Sequence, residues 1–231
     1  MAKKSYIIRL FDDIAPTYDK LNHILSLNID KSWRSKSVKQ IMTTNPKVVL
    51  DIACGTGDFT IELAQKGVEK VIGVDISEGM MKIGLQKVED AGLSDRITMH
   101  VDDSESLSLA DNSVDAVSVA FGVRNFEHLQ IGLNEMNRVI RSGGTVNVLE
   151  LSVPSNPVLL WGYKLYFLHI LPFFGGMISG NKDAYKYLPA SVLNFPKPAV
   201  FLSMLEAAGF KDCRQRSFTF GLCRLFTGVK P

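Results

Sequence analysis

The sequence predicts a doubly wound α/β fold, and three observations support that prediction. Short apolar runs rich in β-branched residues alternate with helix-like segments from residue 47 to residue 151. These runs are continuously apolar, which is typical of parallel strands that are buried on both faces. The first run leads into a glycine-containing turn that opens a helix, an arrangement that suits nucleotide binding. Together these features predict a parallel sheet that helices cover on both sides.

The elements of this sheet follow one another in a regular order. Five strands are predicted, at residues 47–53, 71–76, 96–101, 114–121 and 145–151. The helices between them end at Lys66, start at Ser77, and run from Glu127 to Arg141, where apolar residues recur at helical spacing. Further on we expect a helix over 198–208, ended by Gly209, and two strands at 213–219 and 223–229.

Two segments fall outside this alternation. Residues 1–46 are predicted to form an N-terminal helical extension, and residues 152–197 an apolar insertion that acts as a substrate lid. The stretch 157–178 is apolar enough to suggest a membrane span, but it contains a lysine, a histidine and a mid-segment proline. We therefore expect a core helix or a lid there. The length favours a single domain over residues 1–231.

The composition excludes several classes of protein. The chain is 46% hydrophobic and has 26 basic and 24 acidic residues, for a net charge of +2, which gives no general attraction to nucleic acid. Its three cysteines, Cys54, Cys213 and Cys223, have no C-x-x-C spacing, so we expect reduced thiols, no metal site and a cytoplasmic protein. The basic N-terminus is interrupted by Arg9 and Asp12, too early for a signal peptide.

The segment from Val49 to Asp58 contains the predicted cofactor site. Gly55 and Gly57 let the backbone approach a ligand, and the helix that follows offers free N–H groups to an anion. A dinucleotide fingerprint requires glycine where Thr60 stands and an apolar residue where Asp51 stands. An acidic residue at Asp51 instead suits a cofactor with an ammonium group and no phosphate, such as S-adenosylmethionine (SAM).

Polar residues also end the next two predicted strands. Asp75 ends the second strand, where a carboxylate can accept both hydroxyls of a ribose. Asp103 and Ser104 follow the third strand, where they can meet an adenine amino group. Since ligands bind at the carboxyl ends of parallel strands, we expect these side chains close to the glycine turn. Helix capping is the alternative role, for which Asp58 and Ser77 are also candidates.

Several motifs occur in a characteristic order along the chain. They are Tyr18–Ser26 with Trp33-Arg34, Gly55–Asp58, Phe121–Asn125, Arg138–Gly144 running on to Ser152, Tyr187–Pro189 and Thr219–Gly221. In this order they resemble the ubiquinone/menaquinone biosynthesis C-methyltransferase family, a branch of the class I SAM-dependent methyltransferases. The resemblance implies a Rossmann-like methyltransferase sheet with an N-terminal helical extension and an apolar lid insertion before the last helix and strands.

A few positions depart from the family pattern. Leu21 stands where methionine is usual, and Arg141-Ser142 where Lys-Pro is usual; both are mild changes. Ala120 replaces a serine that often precedes Phe-Gly, which removes one cofactor hydrogen bond. Asp30 replaces a histidine, which argues against a histidine role there and is more similar to menaquinone-only members than to dual-function ones.

The resemblance implies methylation of a ring carbon in a polyprenylated quinol, with demethylmenaquinol converted to menaquinol and SAM as the cofactor. A dual role that includes a benzoquinol precursor of ubiquinone is the alternative. We expect Arg124 to stabilise the developing oxyanion and Asn125 to position the quinol, although Arg124 could instead pair with a structural carboxylate. Tyr18, Asp19 and Asn22 are expected to contact the substrate. The expected cofactor-binding residues are Asp51, Gly55, Thr56, Gly57, Asp75, Asp103 and Ser104.

The expected partners follow from the same resemblance. A prenyl tail implies a peripheral contact with the inner face of the membrane. The 157–178 stretch is expected to shelter the ring and the root of the tail, and a plain dimer or core surface is the alternative for any single aromatic there, including Trp161 and Phe173. Short length and no transit peptide favour a bacterial member, and a homo-oligomer is left open. Rival functions are a SAM methyltransferase for another apolar molecule, an NAD-dependent oxidoreductase and a non-catalytic scaffold.

Overall fold

Helices precede the first strand of the fold. The computed structural model describes residues 3–154, 156–165 and 182–231. Within them, the helices before the sheet are α1 (Lys4–Ile14), α2 (Tyr18–Leu25) and α3 (Ile29–Met42). A 3-10 turn over Ala15–Thr17 joins the first two. The predicted helical N-terminal extension is therefore confirmed where it is described.

The described residues form one seven-stranded sheet with the order β3-β2-β1-β4-β5-β7-β6. The strands are β1 (Val48–Ile52), β2 (Lys70–Asp75), β3 (Ile97–Val101), β4 (Val114–Ala120), β5 (Ile140–Leu151), β6 (Lys211–Phe218) and β7 (Cys223–Val229). Neighbours are parallel except β7, which is antiparallel to β5 and to β6. The strand order reverses between β1 and β4, which is the switch point where open α/β sheets bind ligands.

Helices cover both faces of the sheet, as predicted. The helices after β1 are α4 (Asp58–Gln65), α5 (Glu78–Asp90), α6 (Leu129–Val139), α7 (Pro157–Leu165), α8 (Lys182–Asn194) and α9 (Pro198–Ala207). Successive residues of β1 point to opposite faces. Leu50 belongs to the core layer that includes α6 and α9, whereas Val49 belongs to the layer of α3, α4 and α5. Both side chains are fully buried, so two cores sandwich the sheet.

The boundary between α6 and β5 differs from the prediction. Helix α6 ends at Val139, and Ile140, predicted to be helical, has extended backbone and pairs with Val114 of β4. The Ile140 side chain is fully buried, and the Gly143 N–H donates to the Lys230 carbonyl at 2.8 Å. Sheet pairing and burial here outweigh the helical spacing, so the predicted helix was wrong in its last residues.

The predicted insertion at 152–197 is described only in part. Helices α7 and α8 lie within it, while His169, Pro172 and Phe173 lie outside the described residues. Among the helices that the structure describes, none is long and apolar enough to cross a bilayer.

Candidate active site

The turn between β1 and α4 has a backbone that requires glycine. Gly55 and Gly57 have φ angles of 56° and 82°, in the left-handed region. A Cβ at Gly55 would meet nothing within 4 Å, so backbone conformation rather than space explains this glycine. Gly57 occupies the N-cap position of α4 and has no side chain to cap it. The first N–H groups of the helix can therefore bind an anion.

Asp75 ends β2 beside this turn. Its Oδ2 accepts a hydrogen bond from the Gly55 N–H at 2.8 Å, and its Oδ1 accepts one from the Ser77 N–H at 2.9 Å. Burial raises the pKa of this carboxyl. Asp75, Asp103 and Ser104 line one cavity of about 80 Å³ at the strand ends. The structure therefore brings these three predicted residues together.

The carboxylate of Asp103 has a partner that the sequence did not indicate. The Nζ of Lys4, at the start of α1, lies 2.6 Å from Asp103 Oδ2 and 3.6 Å from Glu105 Oε2. The backbone N–H of Lys4 donates to Glu127 Oε2 at 2.9 Å. Lys4, Asp103, Glu105 and Glu127 all line the smaller cavity. Helix α1 thus closes over the end of β3, where an adenine was expected.

Asp51 lies at the bottom of the site and is 1% exposed. Its Oδ2 accepts a hydrogen bond from Thr60 Oγ1 at 2.7 Å, and its Oδ1 accepts one from Ser118 Oγ at 2.9 Å. Burial raises the pKa of this carboxyl from 3.8 to about 7. The hydroxyl of Thr60 thus supports the acidic side chain that distinguishes this turn from a dinucleotide fingerprint.

A larger cavity of about 500 Å³ adjoins the smaller one. The two cavities share the wall residues Tyr18, Ala53, Gly55, Ala120 and Phe121. Apolar side chains from α3, α7, α8 and the strand ends form much of the remaining wall, among them Trp33, Leu151, Leu159, Tyr163, Leu188 and Leu222. An apolar cavity beside a polar one is suited to an apolar substrate next to a polar cofactor.

Arg124 and Asn125 lie in the 3-10 turn that follows β4. Arg124 is buried and lines the larger cavity, with Nη1 2.8 Å from Glu150 Oε1 and Nε donating to Ser191 Oγ at 3.3 Å. Asn125 lines the smaller cavity, and its Oδ1 accepts a hydrogen bond from the Tyr187 hydroxyl at 3.0 Å. The carboxylate pairing that was the alternative for Arg124 is therefore present, in the wall of the cavity.

A charged cluster joins α2 and α3 to the glycine turn. Its members are Asp19, His23, Asp30, Arg34, Asp58 and Lys87. Asp19 accepts a hydrogen bond from Thr56 Oγ1 at 2.5 Å and lies 2.8 Å from Lys87 Nζ. Arg34 Nη2 lies between two other carboxylates, 2.6 Å from Asp30 Oδ2 and 3.1 Å from Asp58 Oδ2. Thr56 and Asp19, both predicted site residues, are thus held by protein partners.

Further predicted residues line the larger cavity, together with one that was not predicted. Tyr18, Asp19 and Asn22, the predicted substrate contacts, all line it from α2. His23 lines it too, with Nδ1 2.9 Å from Asp30 Oδ2. His23 lies within the Tyr18–Ser26 motif, but a single histidine in an amphipathic helix does not by itself indicate a position in a cavity wall. Asp30, the departure from the family pattern, is 5% exposed and lines the same cavity, where it is paired with His23 and Arg34.

Comparison with known proteins identifies the family of this chain. The model of the ubiE/COQ5 methyltransferase family matches residues 1–230. The demethylmenaquinone methyltransferase of Bacteroides fragilis is 43% identical over 229 residues, which cover 99% of this chain and 94% of the relative. The ubiquinone/menaquinone biosynthesis C-methyltransferase of Geobacter sulfurreducens is 42% identical over 223 residues, 96% of this chain and 87% of the relative.

Solved structures agree in fold. The [4+2]-cyclase SpnF matches with a TM-score of 0.73 and 15% identity, over 97% of this chain and 95% of that one. A SAM-dependent methyltransferase from Thermotoga maritima matches with a TM-score of 0.69 and 17% identity, over 97% and 99% of the two chains. At these identities the likeness establishes the class I methyltransferase fold and not the reaction. Together with the sequence relatives, it makes this chain a SAM-dependent methyltransferase that belongs to the ubiE/COQ5 methyltransferase family.

Proposed function

We propose that this enzyme converts demethylmenaquinol to menaquinol by methylating a ring carbon of the polyprenylated quinol. The observation that carries the proposal is the apolar cavity of about 500 Å³ that shares a wall with the polar cavity at the strand ends. A quinol ring with the root of a prenyl chain requires such a site next to the cofactor. Relatives named demethylmenaquinone methyltransferase, at 43% and 39% identity, support the same substrate.

The side chains around the glycine turn fit SAM. Asp75 offers carboxylate oxygens for ribose hydroxyls, and the N–H groups at the start of α4 suit the carboxylate of the amino-acid part. The carboxyl of Asp51 suits the ammonium group, and Asp103 with Ser104 suits the adenine. Bound SAM supplies an electrophilic methyl group on a sulfonium.

The chain's own residues must then hold the quinol and favour loss of a hydroxyl proton, because a ring carbon is a poor nucleophile while the adjacent oxygen is protonated. Arg124 provides a fixed positive charge in the cavity wall for the developing oxyanion, and Glu150 keeps it in place at 2.8 Å. Asn125, oriented by the Tyr187 hydroxyl, lines the smaller cavity, so its side chain suits the cofactor better than the quinol ring for which the sequence suggested it. Tyr18 and Asn22 close the cavity from α2 and exclude water.

A dual role is the second candidate. The relative from Geobacter sulfurreducens carries the name of a ubiquinone/menaquinone enzyme, and it is almost as similar as the Bacteroides fragilis protein. Asp30 favours the menaquinone-only function because it resembles those members at this position. In either case the tail partitions into lipid, and we propose that the enzyme meets it as a peripheral protein at the inner face of the membrane.

The experiment that tests the proposal is a turnover assay with labelled SAM, in which reduced demethylmenaquinone and a benzoquinol analogue are offered side by side. Label in the naphthoquinol alone supports the menaquinone-only function, and label in both supports the dual one. Binding of SAM without transfer to either quinol would refute the proposed substrate and leave another apolar acceptor or a scaffold.

The role of Arg124 is tested in the same assay. Arg124→Ala should lower turnover by about 100-fold or more while SAM affinity is retained, as is typical when an oxyanion-stabilising group is removed. Arg141→Ala is the matched control, since the Arg141 side chain is 57% exposed and its ion pair with Asp115 lies outside both cavities. Turnover of Arg124→Ala equal to that of the control would remove Arg124 from the mechanism.

A further inference from the structure

The mouth of the larger cavity displays the most exposed large apolar side chains in the part of the chain that the structure describes. Leu27, Val158, Trp161 and Phe220 are exposed by 79%, 77%, 70% and 81%. We refer to these four residues as the apolar rim. Leu27, Val158 and Phe220 also line the cavity. Trp161, expected to shelter the ring, does not line it and lies one helical turn after Val158 in α7. Such a contiguous apolar patch at the opening of a site marks an interaction surface.

The backbone at two rim positions carries strain. Leu27 and Phe220 have φ angles of 53° and 56°, in the left-handed region that non-glycine residues rarely adopt. This conformation has a free-energy cost for any residue with a Cβ. Burial does not offset this cost, because both side chains are among the most exposed in the described chain. Strain that is kept in order to display apolar side chains points to a partner that covers them.

The segments that carry the rim are positively charged. Exposed lysines and arginines flank it: Lys20, Lys31 and Lys36 near Leu27, and Arg214 and Arg216 before Phe220. The segments 20–36, 156–165 and 214–224 contain a single carboxylate, Asp30, which is buried and paired with Arg34. The segments that carry the rim are therefore more positive than the chain as a whole, whose net charge is only +2.

We propose that the apolar rim and its flanking cations dock this enzyme on a membrane leaflet that contains anionic lipids, with the cavity opening into the leaflet. The proposal rests on the proposed function, since a prenyl tail in the cavity must continue into hydrocarbon. Apolar side chains enter the boundary between headgroups and acyl chains while lysine and arginine meet the phosphates. A second copy fits less well, because a two-fold interface would set these cations against one another.

Tryptophan fluorescence provides a direct test. The chain has two tryptophans, Trp161 at the rim and Trp33, which is 6% exposed and donates to Thr219 Oγ1 at 2.9 Å. With vesicles of phosphatidylcholine and phosphatidylglycerol that carry brominated acyl chains, we expect the emission of the wild-type protein to be quenched. The Trp161→Phe variant, which retains only Trp33, should bind the same vesicles with little quenching. Unquenched Trp161 on the vesicles would overturn the proposal.

Charge reversal tests the cations. The double variant Lys31→Glu/Arg216→Glu should lose at least about tenfold in partitioning to anionic vesicles, measured by co-sedimentation. Its matched control is Lys66→Glu/Lys70→Glu, which reverses two exposed lysines at the end of α4 and the start of β2, on the opposite edge of the sheet. Equal losses in the two double variants would overturn a specific docking face. So would a rim variant that changes the oligomeric state but not vesicle binding.

Turnover separates this proposal from the proposed function. Trp161→Ser should methylate a short-tailed quinol in solution at the wild-type rate and lose activity on a long-tailed quinol in vesicles. Leu85→Ser, at an exposed apolar position on α5, is the control and should keep both activities. Equal loss of both activities in Trp161→Ser would overturn the docking role. If the wild-type enzyme methylates none of the quinols, the proposed substrate is refuted. The docking surface is still tested in that case, because quenching by brominated lipids does not depend on turnover.

Discussion

Asp51→Asn isolates the titration of a buried carboxyl at the bottom of the cofactor site. The two carboxylate oxygens of Asp51 accept hydrogen bonds from the hydroxyls of Thr60 and Ser118. An asparagine has nearly the same shape, and a hydroxyl can either donate or accept, so the variant can keep both hydrogen bonds. The change therefore removes the ionisation of this position and little else.

The magnitude follows from the two pKa values. In the unfolded chain Asp51 ionises with a pKa of 3.8, whereas burial raises its pKa in the folded protein to about 7. Below about pH 4 both states hold the proton; as the pH rises, the unfolded state ionises first, so the folded protein is destabilised. At about 1.4 kcal/mol for each tenfold change in protonation, the loss is about 4 kcal/mol. It is complete above about pH 7, where both states are ionised.

The assay is urea unfolding of the wild-type protein and Asp51→Asn, without SAM, from about pH 4 to pH 8. The difference between the free energies of unfolding, variant minus wild type, should increase by about 4 kcal/mol from the lowest to the highest pH. Other titrating groups cancel in the difference. Asp111→Asn, at a carboxylate whose side chain is 69% exposed, is the control and should stay within about 0.5 kcal/mol. Parallel curves for the wild type and Asp51→Asn would refute the reasoning.

Two further changes test the packing of the site. Arg124→Met and Glu150→Gln should each lower the free energy of unfolding in urea by about 3–5 kcal/mol, because each leaves a buried charged partner unpaired. The double variant should lose less than the sum of the two single variants. Additive losses would show that the two side chains are not coupled. Gly122→Ala should cost about 1–3 kcal/mol and weaken SAM binding, since a Cβ there would lie 2.4 Å from the Ala53 Cβ in the cavity wall. Gly162→Ala, with open space at its Cβ, is the control, and equal effects would contradict the clash.

The sheet and the strand-end residues could be predicted because they depend on local patterns. Pairings between distant residues could not: Lys4 and Asp103 are 99 positions apart, and only the docking of α1 joins them. Glu150 is a different case. It follows Leu149, which pairs with Ala120 in the register of β4 and β5. An arginine just after β4 and a glutamate at the end of β5 meet once that register is known.

Two departures from the dinucleotide pattern proved to be one physical feature. In the sequence, Thr60 stands where a dinucleotide fingerprint has its third glycine, and Asp51 stands where it has an apolar residue. These were two separate arguments against dinucleotide binding. In the structure the Thr60 hydroxyl donates to the Asp51 carboxylate at 2.7 Å, from the first turns of α4 to the end of β1. A glycine at position 60 would leave the buried carboxyl one hydrogen bond short. The requirement for an acidic side chain therefore explains the absence of the glycine.

The N-terminal helices adjoin the proposed cofactor site. At least one polar contact joins them to the end of each of three strands: Asp19 to Thr56 after β1, Asp12 to Ser77 after β2, and Lys4 to Asp103 after β3. These strand ends are where the ribose, the adenine and the amino-acid part of SAM are proposed to bind. A cofactor that takes the Asp103 carboxylate competes with Lys4 for it. We therefore expect binding of SAM and docking of α1 to be coupled through the Asp103 carboxylate, whose Oδ2 lies 2.6 Å from Lys4 Nζ.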